Sequence, residues 1–108
     1  MQNLTNNNFK SQILDAQRSL ARLASDEFVA RIEVAVSICQ IALGKGLPML
    51  VYGNGGSAAD AQHIAGELVG QFLKSRQALK VRALSTDTSL ITAWANDITY
   101  DTVFSRQV

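Results

Sequence analysis

Two side chains stand at a spacing that could do chemistry together: His63, the sole histidine, and Glu67, four residues on. In a helix, positions i and i+4 lie one turn apart on one face. An imidazole and a carboxylate so placed can converge on one metal ion or one reacting atom. A solvated polar face of an ordinary helix would carry the same spacing. Position favours the chemical reading, because His63 lies within two turns of the run Gly53-Asn54-Gly55-Gly56-Ser57. The glycines there let the backbone turn sharply and let a ligand approach closely, since no Cβ blocks it. N–H groups at the start of a following helix favour an anion or a polyhydroxyl ligand.

Positioning these residues takes a strand, a turn and a helix. Met49-Leu50-Val51-Tyr52 is a short apolar run closed by Gly53, which reads as a buried strand. Ser57 is a natural helix N-cap, and Ala58, Ala59 and Ala61 are strong helix formers. At about 100° per residue, Ala61, Ile64, Ala65, Leu68, Val69 and Phe72 share a broad apolar arc. Asp60, His63, Glu67 and Gln71 share the opposite one.

Past the polar connector Lys74-Ser75-Arg76-Gln77, Val81 to Leu84 reads as a second strand, partly exposed at Lys80 and Arg82. Strand, helix and strand form a βαβ unit, which predicts parallel pairing and a right-handed crossover. Thr86 or Asp87 then caps a short helix with Leu90, Ile91 and Trp94 on its inner face. Asn96-Asp97 ends that helix with side chains suited to bonding their own backbone or a ligand. Tyr100 to Val108 reads as the start of another helix.

Upstream, residues 1–8 form an asparagine-rich, frayed lead-in. Phe9, Ile13, Ala16, Leu20 and Leu23 then recur at spacings of four and three, the seam of an amphipathic helix. Ser25 caps a second helix, with Asp26 and Glu27 favourably placed in its first turn. From Val34 to Leu43 this helix is apolar almost all round, so it must be covered on every side, and we expect a subunit interface there. Gly44-Lys45-Gly46 ends it with a left-handed glycine cap, and Pro48 opens the strand. The expected division is 1–46, a helical pair for oligomerisation, and 47–108, a βαβα segment.

Composition narrows the class. The 108 residues suit one small domain, with 47% hydrophobic and 18% charged residues. A formal net charge of +1 gives no reason to expect nucleic acid or an acidic membrane surface as partner. The single cysteine, Cys39, excludes an internal disulfide and reads as a packing residue. The polar N-terminus does not read as a secretory leader, and no apolar run approaches the roughly 20 residues of a membrane span. We therefore expect a cytoplasmic protein.

The run from Gly53 to His63, followed by Gly66-Glu67-Leu68, closely resembles the signature of bacterial phosphoheptose isomerases. Leu84-Ser85-Thr86-Asp87-Thr88-Ser89, Ala95-Asn96-Asp97 and Val103-Phe104-Ser105-Arg106-Gln107-Val108 agree with the same family. These are sugar-isomerase (SIS) domain enzymes that convert sedoheptulose 7-phosphate to D-glycero-D-manno-heptose 7-phosphate. The resemblance implies an α/β fold, a three-layer αβα sandwich around a parallel sheet, of which this chain is about the N-terminal half. It implies a homotetramer assembled through the N-terminal helices, serving heptose and lipopolysaccharide precursor synthesis.

Residue by residue, the resemblance makes Glu67 the catalytic base. It places Asn54, Gly55, Gly56, Ser57, Glu67, Asn96 and Asp97 on the substrate. It makes His63 and Glu67 two ligands of a zinc ion whose other ligands, like the phosphate loop, lie beyond Val108. The 108-residue segment alone is therefore expected to be inactive. Many family members carry arginine where this chain has Gln71, which loses a charged contact here.

The nearest rival is the non-catalytic SIS relative that binds the replication initiator DnaA. That relative lacks the acidic residue at the position of Glu67, so Glu67 favours an enzyme. A sugar-phosphate-sensing SIS module is a second rival, and it too would need the phosphate loop. Gly53-x-Gly55-x-x-Ala58 also fits a loose dinucleotide fingerprint. The acidic residue this fingerprint expects about 20 positions on is missing, since Asp87 lies too far along.

Overall fold

The computed structural model describes residues 9–108. The expected fraying of residues 1–8 lies outside the described residues. The described residues fall into two compact units, one ending at Ile38 and one running from Cys39 to Val108.

In the first unit, α1 (Phe9–Leu23) follows the predicted seam, and α2 (Asp26–Gly44) begins where Ser25 predicts. Ser25 Oγ accepts from the Phe28 N–H at 3.4 Å, and Asp26 and Glu27 occupy the first turn. Arg31 donates to Glu27 one turn back at 2.6 Å, and Arg18 pairs with Asp15. All four side chains are largely exposed, so these pairs add little stability. No residue of α1 or α2 is buried within a single chain. Phe9, Ile13, Leu20 and Ile38 each expose more than 60% of their surface.

The second unit carries the sheet. The end of α2 is a Schellman motif: Leu47 N–H bonds the Ala42 carbonyl at 3.0 Å, and Gly46 N–H bonds Leu43 at 2.9 Å. Gly46 sits at φ 73°, a conformation that costs glycine nothing. The chain then enters β1 (Met49–Val51), crosses through α3 (Gly56–Val69) and returns as β2 (Val81–Ala83). The strands pair in parallel, with Met49 opposite Val81, Leu50 opposite Arg82 and Val51 opposite Ala83. Val81 and Ala83 are buried and Arg82 is exposed, as the alternation predicts.

Ala61 and Ala65, the buried residues of α3, meet Val81 and Ala83 in the core, flanked by Leu43, Met49, Val51, Leu68 and Leu79. Small side chains on this face let the helix lie close to the sheet. Leu84 and Val103 are fully buried, each worth roughly 1.5–3 kcal/mol relative to exposure.

α4 (Thr88–Asp97) starts at Asp87, whose Oδ1 accepts the Leu90 N–H at 2.9 Å. Leu90, Ile91 and Trp94 are half-buried along it. Three expectations require correction. Ser57 is not the N-cap of α3: Gly55 is, at φ 55° and ψ −123°. The Ser57 and Ala58 N–H groups bond the Asn54 and Gly55 carbonyls, so backbone closes the turn and no side-chain cap is used. Phe72 does not extend the apolar face of α3, because the helix stops at Val69 and Phe72 sits at φ 44°, 70% exposed. Finally, the stretch from Tyr100 folds as two 3₁₀ turns, Tyr100–Thr102 and Ser105–Gln107, in place of an α-helix. Thr99 Oγ1 accepts from Asp101 N–H, and Gln107 Nε2 donates to the Leu84 and Val103 carbonyls, which pins this segment to the end of β2.

Candidate active site

The glycine turn is held from both sides. At Gly53 a Cβ would stand 2.5 Å from Ser57 Cβ and 2.7 Å from the Ser57 carbonyl carbon and oxygen, so only glycine fits unless the helix start moves. At Gly55 a side chain would meet nothing, but φ 55° makes it strained. Asn54, Gly55, Gly56 and Ser57 are all exposed. The internal bonds of the Ser57 and Ala58 N–H groups shrink the donor set that a ligand could use here to fewer than the sequence reading supposes.

Asn54 is oriented by a residue the sequence reading missed. Tyr100 Oη donates to Asn54 Oδ1 at 2.6 Å, which turns the Asn54 amide nitrogen, the donor end, away from the tyrosine. Tyr52 stacks on Phe104 with ring centroids 5.0 Å apart, a second tie between strand end and 3₁₀ segment. At the end of α4, Asn96 Nδ2 donates to Asp97 Oδ1 at 2.8 Å. Both side chains are exposed, and Asp97 lines an open cleft of about 410 Å³ with Trp94 and Arg106. The Arg106 guanidinium lies 4.8 Å from the Trp94 ring centre, and Trp94 Nε1 donates to Thr102 Oγ1.

His63 and Glu67 do converge. His63 Nε2 and Glu67 Oε1 are 3.8 Å apart on one face of α3. The histidine side chain is largely exposed and the glutamate about 60% covered. That separation suits two donors leaning toward one ion as well as it suits an ion pair. Among the described residues no cluster of three or more His, Cys, Asp or Glu side chains joins them. The pair thus fits as half of a four-coordinate zinc site.

It opens onto a groove of about 610 Å³ walled mainly by Ile64, Leu68, Phe72 and Leu73. Gln71 lines the groove as a neutral amide, beyond the end of α3. Ser57 and Glu67 lie ten residues apart on one helix, about 15 Å along its axis. The turn opens α3 and Glu67 stands near its other end, with His63 between them at mid-helix.

A second missed residue closes the glutamate end of α3. Arg76 donates to the Glu67 and Leu68 carbonyls at 3.0 and 2.8 Å. A basic residue soon after a helix end is a sequence signal for such a contact, whereas nothing local links Tyr100 to Asn54, 46 residues away.

The SIS-domain profile matches residues 12–108. The phosphoheptose isomerase of Burkholderia pseudomallei is 46% identical over 99 residues, which cover 91% of this chain and 50% of that protein. The phosphoheptose isomerase of Aquifex aeolicus is 53% identical over 88 residues, covering 81% of this chain and 46% of that one. Among solved structures, phosphoheptose isomerase GmhA from Neisseria gonorrhoeae superposes with a TM-score of 0.68 at 37% identity, covering 93% of this chain and 48% of its own. The chain spans about half the length of the curated relatives it matches.

Proposed function

The chain belongs to the SIS-domain family, and from that premise we propose that the protein it forms is a phosphoheptose isomerase. Its reaction interconverts sedoheptulose 7-phosphate and D-glycero-D-manno-heptose 7-phosphate. The observation that carries the reading is the convergence of His63 and Glu67 on α3, in a chain whose relatives are named for that activity.

The chemistry moves one proton between neighbouring carbons. Glu67 accepts the proton from C1 of the open-chain ketose, which leaves an enediolate across C1 and C2. It then returns the proton to C2 while the hydroxyl proton passes from O1 to O2, so the atoms balance with no outside reductant. The carboxylate stands beside the apolar groove and is about 60% covered, and positioned acid–base groups of this kind contribute about 10²–10⁴-fold.

Asn54, Gly55, Gly56, Ser57, Asn96 and Asp97 bind the sugar hydroxyls. The Tyr100 hydroxyl holds the Asn54 amide for that task. His63 and Glu67 would hold a zinc ion, which when bound polarises the carbonyl as a Lewis acid.

The distance of about 15 Å along α3 between Ser57 and Glu67 supports a site completed by further elements, including those of neighbouring subunits. The uncovered apolar faces of α1 and α2 support assembly through those helices, as a homotetramer. We place the enzyme in the cytoplasm, supplying heptose for lipopolysaccharide precursors. Among the described residues no helix is long and apolar enough to cross a membrane.

Incubating the full-length protein with sedoheptulose 7-phosphate and following the aldose product tests the reading. Turnover supports it, while none with any sugar phosphate, together with capture of the initiator DnaA, would favour the non-catalytic alternative. The 108-residue chain alone should be inactive in the same assay.

A further inference from the structure

We propose that Arg76 is the positioning residue for Glu67: its guanidinium clamps the last turn of α3 and so fixes where the carboxylate stands. The proposal rests on the reading of Glu67 as the base.

A helix leaves its last four carbonyls without partners inside the helix. In α3 the Gly66 carbonyl accepts from Gly70 N–H at 2.8 Å, the only one of the last turn closed by the adjoining backbone. The Glu67 carbonyl accepts from Arg76 Nη2 at 3.0 Å. The Leu68 carbonyl accepts from Arg76 Nη1 at 2.8 Å, with Leu79 N–H at a longer 3.3 Å. One planar guanidinium thus closes two successive carbonyls, one of them Glu67's own. Its third bond, to the Gln77 carbonyl at 3.1 Å, anchors the clamp to the connector.

Geometry and charge both favour arginine here. A rigid fork presents donors from two nitrogens at a fixed spacing to two neighbouring acceptors, whereas the donors of lysine all radiate from one nitrogen on a flexible stem. A cation at a helix C-terminus also meets the negative end of the macrodipole. Arg76 is half-buried, so water competes less for these carbonyls than at an open surface.

Nothing downstream could replace the clamp by extending the helix. Gly70 leaves helical geometry at ψ −142°, and Phe72 follows at φ 44°. Glu67 stands two residues before the helix end. If that turn frays, the carboxylate moves with it.

The test uses Arg76→Ala and Arg76→Lys in the full-length protein, with two independent readouts. The first is kcat and KM for sedoheptulose 7-phosphate. The second is amide hydrogen exchange at Gly70, whose N–H closes the same turn. For Arg76→Ala we expect kcat to fall on the order of 10–10²-fold with KM little changed, as for a misplaced reacting group. Exchange at Gly70 should quicken, and millimolar guanidinium should restore part of kcat. Lysine should recover only part of either loss.

Wild-type exchange at Gly70 in Arg76→Ala would overturn the clamp. A kcat within twofold of an active wild type would overturn its positioning role. If Arg76→Ala does not fold, Arg76→Lys is judged on the same two readouts. An inactive wild type would sink the isomerase reading alone, and the exchange result would still decide the clamp.

Discussion

Replacing Gly53 with alanine perturbs the site by a single methyl group whose neighbours are known. The new carbon would meet Ser57 Cβ at 2.5 Å and the Ser57 carbonyl carbon and oxygen at 2.7 Å. Ordinary van der Waals contact begins near 3.4 Å, so the turn and the first residues of α3 must part by roughly 0.7–0.9 Å. The atoms in the way are mostly backbone, and no rotamer change relieves them. Overpacking of this kind costs about 1–3 kcal/mol.

The same shift moves Asn54 and Ser57, both assigned to the substrate, and a misplacement approaching 1 Å can cost about 10²-fold in rate. Urea denaturation with steady-state kinetics on the full-length protein would measure both effects. Gly66→Ala is the control: a Cβ there meets nothing within 4 Å, and removing glycine from a helix interior should stabilise by about 0.5–1 kcal/mol. A Gly53→Ala protein as stable and as active as Gly66→Ala would refute the close approach between turn and helix.

Other consequences follow from single contacts. Tyr100→Phe removes only the bond to Asn54, so stability should fall by no more than about 0.5–1.5 kcal/mol, and KM should rise more than kcat falls; unchanged KM would show the Asn54 amide needs no tether. Asp87→Ala should cost about 1 kcal/mol by urea denaturation through loss of the α4 cap, with Asp87→Asn close to wild type; equal losses would mean the capping bond is not the source. His63→Ala should lower bound zinc by elemental analysis of the full-length protein before it lowers fold stability, and undiminished zinc would remove His63 from the ligand set.

Much of the fold is legible in the sequence because its cues are local. Lys80-Val81-Arg82-Ala83 alternates, and the strand buries Val81 and Ala83 while exposing Arg82. Gly46 supplies the left-handed residue that ends α2, and Asp87 supplies the oxygen that starts α4. The pairing of His63 with Glu67 needs nothing beyond helical periodicity.

The misses arise where a local preference has a competitor. Ser57 is a good capping residue, but Gly55 can adopt φ 55° and closes the turn through backbone alone. Phe72 has the right spacing for the apolar face of α3, but Gly70 and the Arg76 clamp stop the helix first. Tyr100 to Val108 has helical composition, yet Val103 is buried and Gln107 is drawn onto the Leu84 carbonyl, and the chain tightens into 3₁₀ turns. The Tyr100–Asn54 bond is tertiary, and no window along the chain contains both residues.

The central claim is that Glu67 is the base of an isomerase, and Glu67→Gln in the full-length protein tests it most directly. Glutamine keeps the size and the hydrogen-bonding reach of the side chain but cannot accept the substrate proton. With sedoheptulose 7-phosphate the account predicts that turnover falls by at least about 10²-fold while substrate affinity, held by Asn54, Ser57 and Asp97, changes far less. Near-wild-type turnover by Glu67→Gln would contradict it.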